Sequence, residues 1–226
     1  PGFDTWNPTR ALATLAKADF VVALSPWRST SLEAVADVIL PVGDFAETAG
    51  TYVNTEGLWQ HFQGAIAAPG EARPAWKVLR VLGNLLDVEG FDYVSARDIR
   101  EELSGLCDGV APGNGPRDGL ISALAETPEG DLYRIGDVPI YAVDGLVRRA
   151  DALQRTSDAI SFGVWLNPLE AGRLGVTNGD TVVIKQTDDS AEAAVTLDPG
   201  IPEGCARIPA ALEGSDRLGA PYGPAT

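Results

Sequence analysis

The chain has 226 residues, and its 17 Lys and Arg stand against 32 Asp and Glu for a net charge of −15. A hydrophobic fraction of 45% and a charged fraction of 22% describe a folded protein long enough for one large domain or two ordinary ones. The acidity argues against nucleic acid and anionic membrane surfaces, which are met with clustered Lys and Arg, and no apolar run nears the ~20 residues of a membrane helix.

In chain order, Asn7 and Pro8 are a helix cap and a first helical residue, opening a helix over residues 9–17. Residues 19–24 read as a short buried strand. Thr30 or Ser31 caps a second helix through Ala36, and Asp37-Val38-Ile39-Leu40-Pro41 is a second strand stopped by its proline. This rhythm is that of a parallel sheet with helical crossovers. Two strands do not make a stable doubly wound sheet. The chain also opens on Pro1, holds no Met, and lacks the basic and apolar regions of a secretory signal. The expectation is a piece of a longer polypeptide, with further strands before Pro1.

Residues 43–73 are rich in Gly and Thr, with an extended segment over 58–66. Pro74 then begins the clearest helix. Lys77, Arg80, Asn84 and Asp87 form one polar stripe, while Trp76, Val78, Leu79, Val81, Leu82, Leu85 and Leu86 fill the remaining faces. That pattern predicts a helix buried over most of its circumference. Ser95 caps the next helix with Asp98 as its reciprocal partner. Residues 108–116 read as a loop and 117–126 as a surface helix.

Beyond about residue 155 the pattern changes. A short helix over 168–174 ends at Gly175, and Asn178-Gly179-Asp180 is a turn into a strand over 181–185. Ala191, Ala193, Val195 and Leu197 alternate with Glu192, Ala194, Thr196 and Asp198, the period of a half-buried strand. Gly/Pro turns then lead to a strand over 205–208. Short strands between such turns predict a small barrel or sandwich.

Residues that bear chemistry are sparse. Cys107 and Cys205 stand alone, and with His61 they cannot supply four thiolates to an iron–sulfur cluster or a Cys/His set to a structural zinc. Asp37, Asp44, Glu47 and Glu56 match no calcium-loop spacing and read as carboxylates that bond backbone or water. His61 has no neighbouring nucleophile motif, and Gly113-Asn114-Gly115-Pro116 lacks the Lys-Ser/Thr of a phosphate loop. Arg148 and Arg149 could meet an acidic partner or a carboxylate, but are more simply read as a surface helix end.

Three blocks resemble a known family. Ala36-Asp37-Val38-Ile39-Leu40-Pro41, followed by Glu47-Thr48-Ala49-Gly50-Thr51 and by Asn54-Thr55-Glu56-Gly57 with Gln60, resembles a signature of the molybdopterin oxidoreductase superfamily. Leu58 stands where that pattern commonly has Arg. Residues 70–86 and 138–154 resemble the form these regions take in one branch of it. That branch is the family of large iron–sulfur subunits (G subunits) of bacterial NADH-quinone oxidoreductase, respiratory complex I. Leu166-Asn167-Pro168 through Gly179-Asp180 resembles the superfamily's C-terminal double-psi β-barrel. Within the loop, Gly50 and Gly57 permit tight turns, and Thr51, Asn54 and Glu56 can bond backbone.

The resemblance implies an α/β fold: a partial doubly wound α/β domain over residues 1–155, then a small double-psi β-barrel over 156–226. It implies a structural, docking portion of the large iron–sulfur subunit, within a complex that passes electrons from NADH through FMN and iron–sulfur clusters to quinone with proton translocation. No residue here is assigned a catalytic, cofactor-binding or metal-binding role; the iron–sulfur clusters are expected elsewhere in the intact polypeptide. The implied partners are other subunits of the peripheral arm, at the cytoplasmic face of the bacterial inner membrane, with no span of its own. The competing readings are part of a formate dehydrogenase-like molybdenum oxidoreductase, whose barrel holds a pterin dinucleotide, and a stand-alone barrel that binds a small ligand or protein.

Overall fold

A computed structural model of the protein describes residues 2–111, 113, 115, 132–186 and 189–226. The surface helix expected over 117–126 lies outside the described residues, as do Pro112, Asn114 and Pro116 of the expected loop. The chain forms two compact units, one of Pro1–Asp19, Thr30–Val35 and Ala123–Thr226, the other of Phe20–Ser29 and Ala36–Ser122. Residues 2–19 and 132–155 thus share a unit with the chain beyond 155.

The second unit is built on local signals. Strands β1 (Val22–Ser25) and β2 (Val38–Pro41) pair in parallel, with Val22 opposite Val38 and Ser25 opposite Pro41. Asp37 fixes the entry to this pair by accepting a hydrogen bond from the Val21 amide at 2.7 Å. Strands β3 (Gly50–Val53) and β4 (Trp59–Phe62) form an antiparallel hairpin. Helix α3 (Ala75–Leu85) follows Pro74, and α4 (Ala96–Leu106) starts at Ser95 with the reciprocal Ser95/Asp98 cap.

Burial of α3 departs from its sequence pattern. Leu82 is 36% exposed, Leu79 47% and Leu85 76%. Gly83 is the buried residue of the helix, because the Phe91 ring lies where a Cβ would stand, with its Cδ1 2.4 Å from that point. The helix ends on Asp87 at φ 54°, whose amide bonds the Asn84 carbonyl while Val88 bonds that of Gly83. This is a Schellman closure with aspartate where glycine is usual.

The first unit holds the core. Helix α1 (Pro8–Leu15) is capped by Asn7, which accepts from the Arg10 amide at 2.9 Å, and α2 (Thr30–Glu33) is a single turn rather than a helix reaching Ala36. Strands β5 (Leu132–Ile135), β6 (Val164–Leu166), β7 (Thr181–Gln186), β8 (Asp189–Leu197), β9 (Cys205–Arg207) and β10 (Tyr222–Ala225) make one mixed sheet in the order β10-β5-β9-β6-β8-β7. Helix α5 (Asp151–Gln154) precedes β6, and α6 (Pro168–Leu174) follows it, stopped at Gly175 in the left-handed region. Past β10, Thr226 exchanges two backbone hydrogen bonds with Lys185 of β7, joining the sheet's two edge strands. Ala191, Ala193 and Val195 face inward and pack with Val164, Leu166, Ile184, Ile208 and Leu218. Residues 178–210 carry strands and turns and no helix among the described residues.

Candidate functional site

The signature loop of the second unit is a hairpin held by Asn54. Its Oδ1 accepts from the amides of Glu56 at 3.0 Å and Leu58 at 2.9 Å, and Gly57 sits at φ 81°. Gly50 is a strand residue rather than a turn: it pairs with Phe62, whose ring lies against it and stacks on Tyr52 at 5.2 Å. Asn54 therefore spends its oxygen on the turn, and exposed Leu58 offers no cation. This donor set does not fit an anionic pterin dinucleotide.

The four carboxylates singled out in this region serve the backbone where the structure gives them partners. Asp44 accepts from the Phe45 amide, Glu47 from the Asp44 amide in a reciprocal cap, and Asp37 from Val21. His61 is exposed on β4 opposite Thr51. Cys107 is exposed after α4 in one unit and Cys205 opens β9 in the other. No cluster of three or more His, Cys, Asp or Glu suited to a metal occurs among the described residues.

Two cavities among the described residues of the first unit bear on a site. One, of about 630 Å³, has Arg148 and Arg149 in its wall. Arg148 and Arg149 do end a short helical turn (Val147–Arg149), and Arg149 is exposed, but the Arg148 side chain is partly buried: its Nη2 bonds both Asp4 carboxylate oxygens at 2.8 and 3.0 Å, Nη1 donates to the Ala142 carbonyl at 2.7 Å, and the guanidinium lies over the Phe3 ring. Its charge is met within the chain.

The other cavity, of about 430 Å³, is bounded by Phe3, Trp6, Val138, Val143, Pro221 and Tyr222, with Arg134 in its wall. Arg134 comes from β5 and is 1% exposed. Its Nε donates to the Ile208 carbonyl at 3.1 Å, and Nη1 donates to Gln186 Oε1 at 2.8 Å and to the Gly219 and Ala220 carbonyls at 3.3 Å each. All of these partners are neutral. Burial pulls the guanidinium down to about 10, which leaves it charged at neutral pH. On neighbouring β9, Arg207 shows the contrast: Asp137 grips it with two bonds at 2.9 and 2.8 Å and raises its pKa. Sequence reading missed Arg134, because nothing in Leu-Tyr-Arg-Ile marks which face of the strand is inward.

Residues 4–85 match the family described as Molybdopterin oxidoreductase. Over 194 residues, 80% of this chain, it is 32% identical to the G subunit of NADH-quinone oxidoreductase of Streptomyces coelicolor. The chain belongs to the molybdopterin oxidoreductase superfamily. Within that superfamily it is homologous to the G subunit, and it spans 22% of the length of the Streptomyces relative. A formate dehydrogenase alpha subunit of Methanococcus maripaludis is 36% identical over 76 residues, 33% of this chain and 11% of that one. Acetylene hydratase from Pelobacter acetylenicus has a similar fold, at TM-score 0.59 and 19% identity, over 89% of this chain and 34% of that structure. No described helix is long and apolar enough to cross a membrane.

Proposed function

We infer that this chain is a structural and docking portion of the large iron–sulfur polypeptide, the G subunit, of an NADH-quinone oxidoreductase. The observation that carries this reading is the extent of the match to that relative, 80% of the chain against 33% for the formate dehydrogenase. The complex moves electrons from NADH through FMN and iron–sulfur clusters to quinone, with proton translocation, and this chain performs none of those transfers. Two cysteines cannot ligate an all-thiolate cluster, so the clusters belong to other parts of the polypeptide. The mixed six-stranded sheet, joined at its edges through Lys185 and Thr226, is read as the superfamily's double-psi barrel. The partners are other subunits of the peripheral arm, on the cytoplasmic face of the bacterial inner membrane. Exposed Leu79, Leu85, Leu86, Val94 and Leu106 are the apolar surface that suits such contacts.

The test is to tag the native polypeptide containing this sequence and purify it from membranes. The expected result is co-purification with an FMN-bearing, NADH-oxidising assembly, while the isolated chain binds neither molybdenum nor iron in stoichiometric amount. Molybdenum bound one to one by the isolated chain moves the reading to the formate dehydrogenase-like enzyme. Failure to co-purify with NADH-oxidising subunits overturns it.

A further inference from the structure

A buried guanidinium normally faces a carboxylate, since an uncompensated charge is costly to remove from water. Arg134 is 99% buried and forms no ion pair among the described residues, and its Nη2 donates to none of them. Arg80 and Arg148 each have an Nε sealed from solvent without a partner, but Nη2 of Arg134 is not sealed in this way. With the residue as a whole buried, that accessible edge faces the 430 Å³ cavity that Arg134 lines. The side chain is also fixed in place: three carbonyls and Gln186 hold Nε and Nη1, and Gln186 Nε2 donates in turn to the Ala220 carbonyl at 2.8 Å. The rest of the wall is largely apolar and aromatic. Trp6 and Tyr222 stack at 5.9 Å beside the opening, and both rings are partly solvent-exposed. Asp4, the acid of this wall, is neutralised by Arg148. The larger cavity next to Arg148 offers no comparable charge, because that guanidinium already holds its carboxylate.

We propose that this cavity binds a small organic monocarboxylate with a flat apolar body, its carboxylate on Nη2 of Arg134 and its body against Trp6, Val138 and Tyr222. A guanidinium with a free edge takes a carboxylate through charge-assisted hydrogen bonds, and apolar walls with one convergent polar group set the ligand's orientation. The lowered pKa of Arg134, due to burial alone, agrees with a cation that lacks its counter-charge.

The test titrates phenylacetate into the full chain near neutral pH and follows proton–nitrogen correlation spectra. Saturable shifts are expected at the amides of Gly136 and Gly219 and at the Trp6 indole. Neutral phenylacetamide is expected to bind at least about tenfold more weakly, the worth of one charge-assisted bond. Arg134→Gln should weaken phenylacetate by a similar factor. Because that residue also ties four chain segments together and the variant can fail to fold, Val138→Trp serves as the second variant: it fills the cavity from a half-exposed position and should abolish the shifts. The proposal is overturned by any of three results: no saturation up to about 10 mM, equal affinity for acid and amide, or binding that survives Val138→Trp. Equal shifts with chloride or inorganic phosphate also overturn it, since the guanidinium then takes any anion.

Discussion

The two units bury their apolar residues very differently. In the β-rich unit Leu218, Ile208 and Val195 are within 2% of full burial, and inward residues of β6, β7, β8 and β9 close on one another. In the α/β unit the buried apolar side chains among the described residues are Val42 and Ala72, beside the bridge between residues 42 and 73. Val22 and Val38, paired across β1 and β2, are both more than a third exposed, although parallel strands are usually covered on both faces. One unit closes its core through long-range pairing. The other is held by caps, a hairpin and one two-stranded sheet, and leaves its apolar faces open.

The contrast is sharpest in the response to truncation. Leu218→Ala, at 0% exposure, should cost about 2–5 kcal/mol by denaturant melting. A loss under about 1 kcal/mol would mean that the core is poorly packed. Within the α/β unit Gly83 sits even closer to an aromatic ring than Gly50 does, so Gly83→Ala should cost about 1–3 kcal/mol through displacement of Phe91. The equivalent truncation on the open face, Leu82→Ala, should cost less than about 1 kcal/mol, well short of its counterpart in the core. A cost equal to that of Leu218→Ala would break the comparison.

Smaller effects sit at helix ends. Asp87 holds a left-handed backbone at φ 54° that costs an L-residue about 1 kcal/mol, so Asp87→Gly should raise stability by up to that amount. Loss of stability in that variant would show that the aspartate side chain contributes more than its backbone costs. Each unit also contains an aspartate held below the usual carboxylate range by local bonds: Asp98, in a helix cap, first by the Ser95 hydroxyl, and Asp180, in the turn before β7, first by the Thr177 amide. A lowered folded-state pKa gives stabilisation that is complete above the unfolded-state value and lost as pH falls through the folded-state value. Asp98→Asn should therefore melt lower than the parent at neutral pH and converge with it once the pH has fallen through the lowered folded-state pKa of Asp98. A gap that persists in acid would show that the cap acts through shape rather than charge.

Local chemistry was legible in the sequence. Asn167, Pro168 and Gly175 bound α6 where their types predict, the Ser95/Asp98 cap forms as read, and the alternation over 191–196 orients β8. What was not legible depends on partners distant in the chain. β10 is Tyr-Gly-Pro-Ala, a run in which only the tyrosine favours a strand, and it exists because β5 pairs with it. The apolar circumference of α3 states what the helix can bury, but its burial depends on neighbours that its own pattern does not specify. Arg134 was overlooked for the same reason. An arginine reads as surface until its strand's inward face is known, and that face is set by β9 and β10, about 70 and 90 residues further on.

Hydrogen exchange on the full chain tests the central contrast most directly, because protection reports the local free energy of opening. The amides of β6, β8 and β9 should exchange slowest and together, while those of β1, β2 and α3 exchange faster by about two orders of magnitude or more. Equal protection across both units would show that the α/β unit is as self-sufficient as the β-rich one, and would contradict the account.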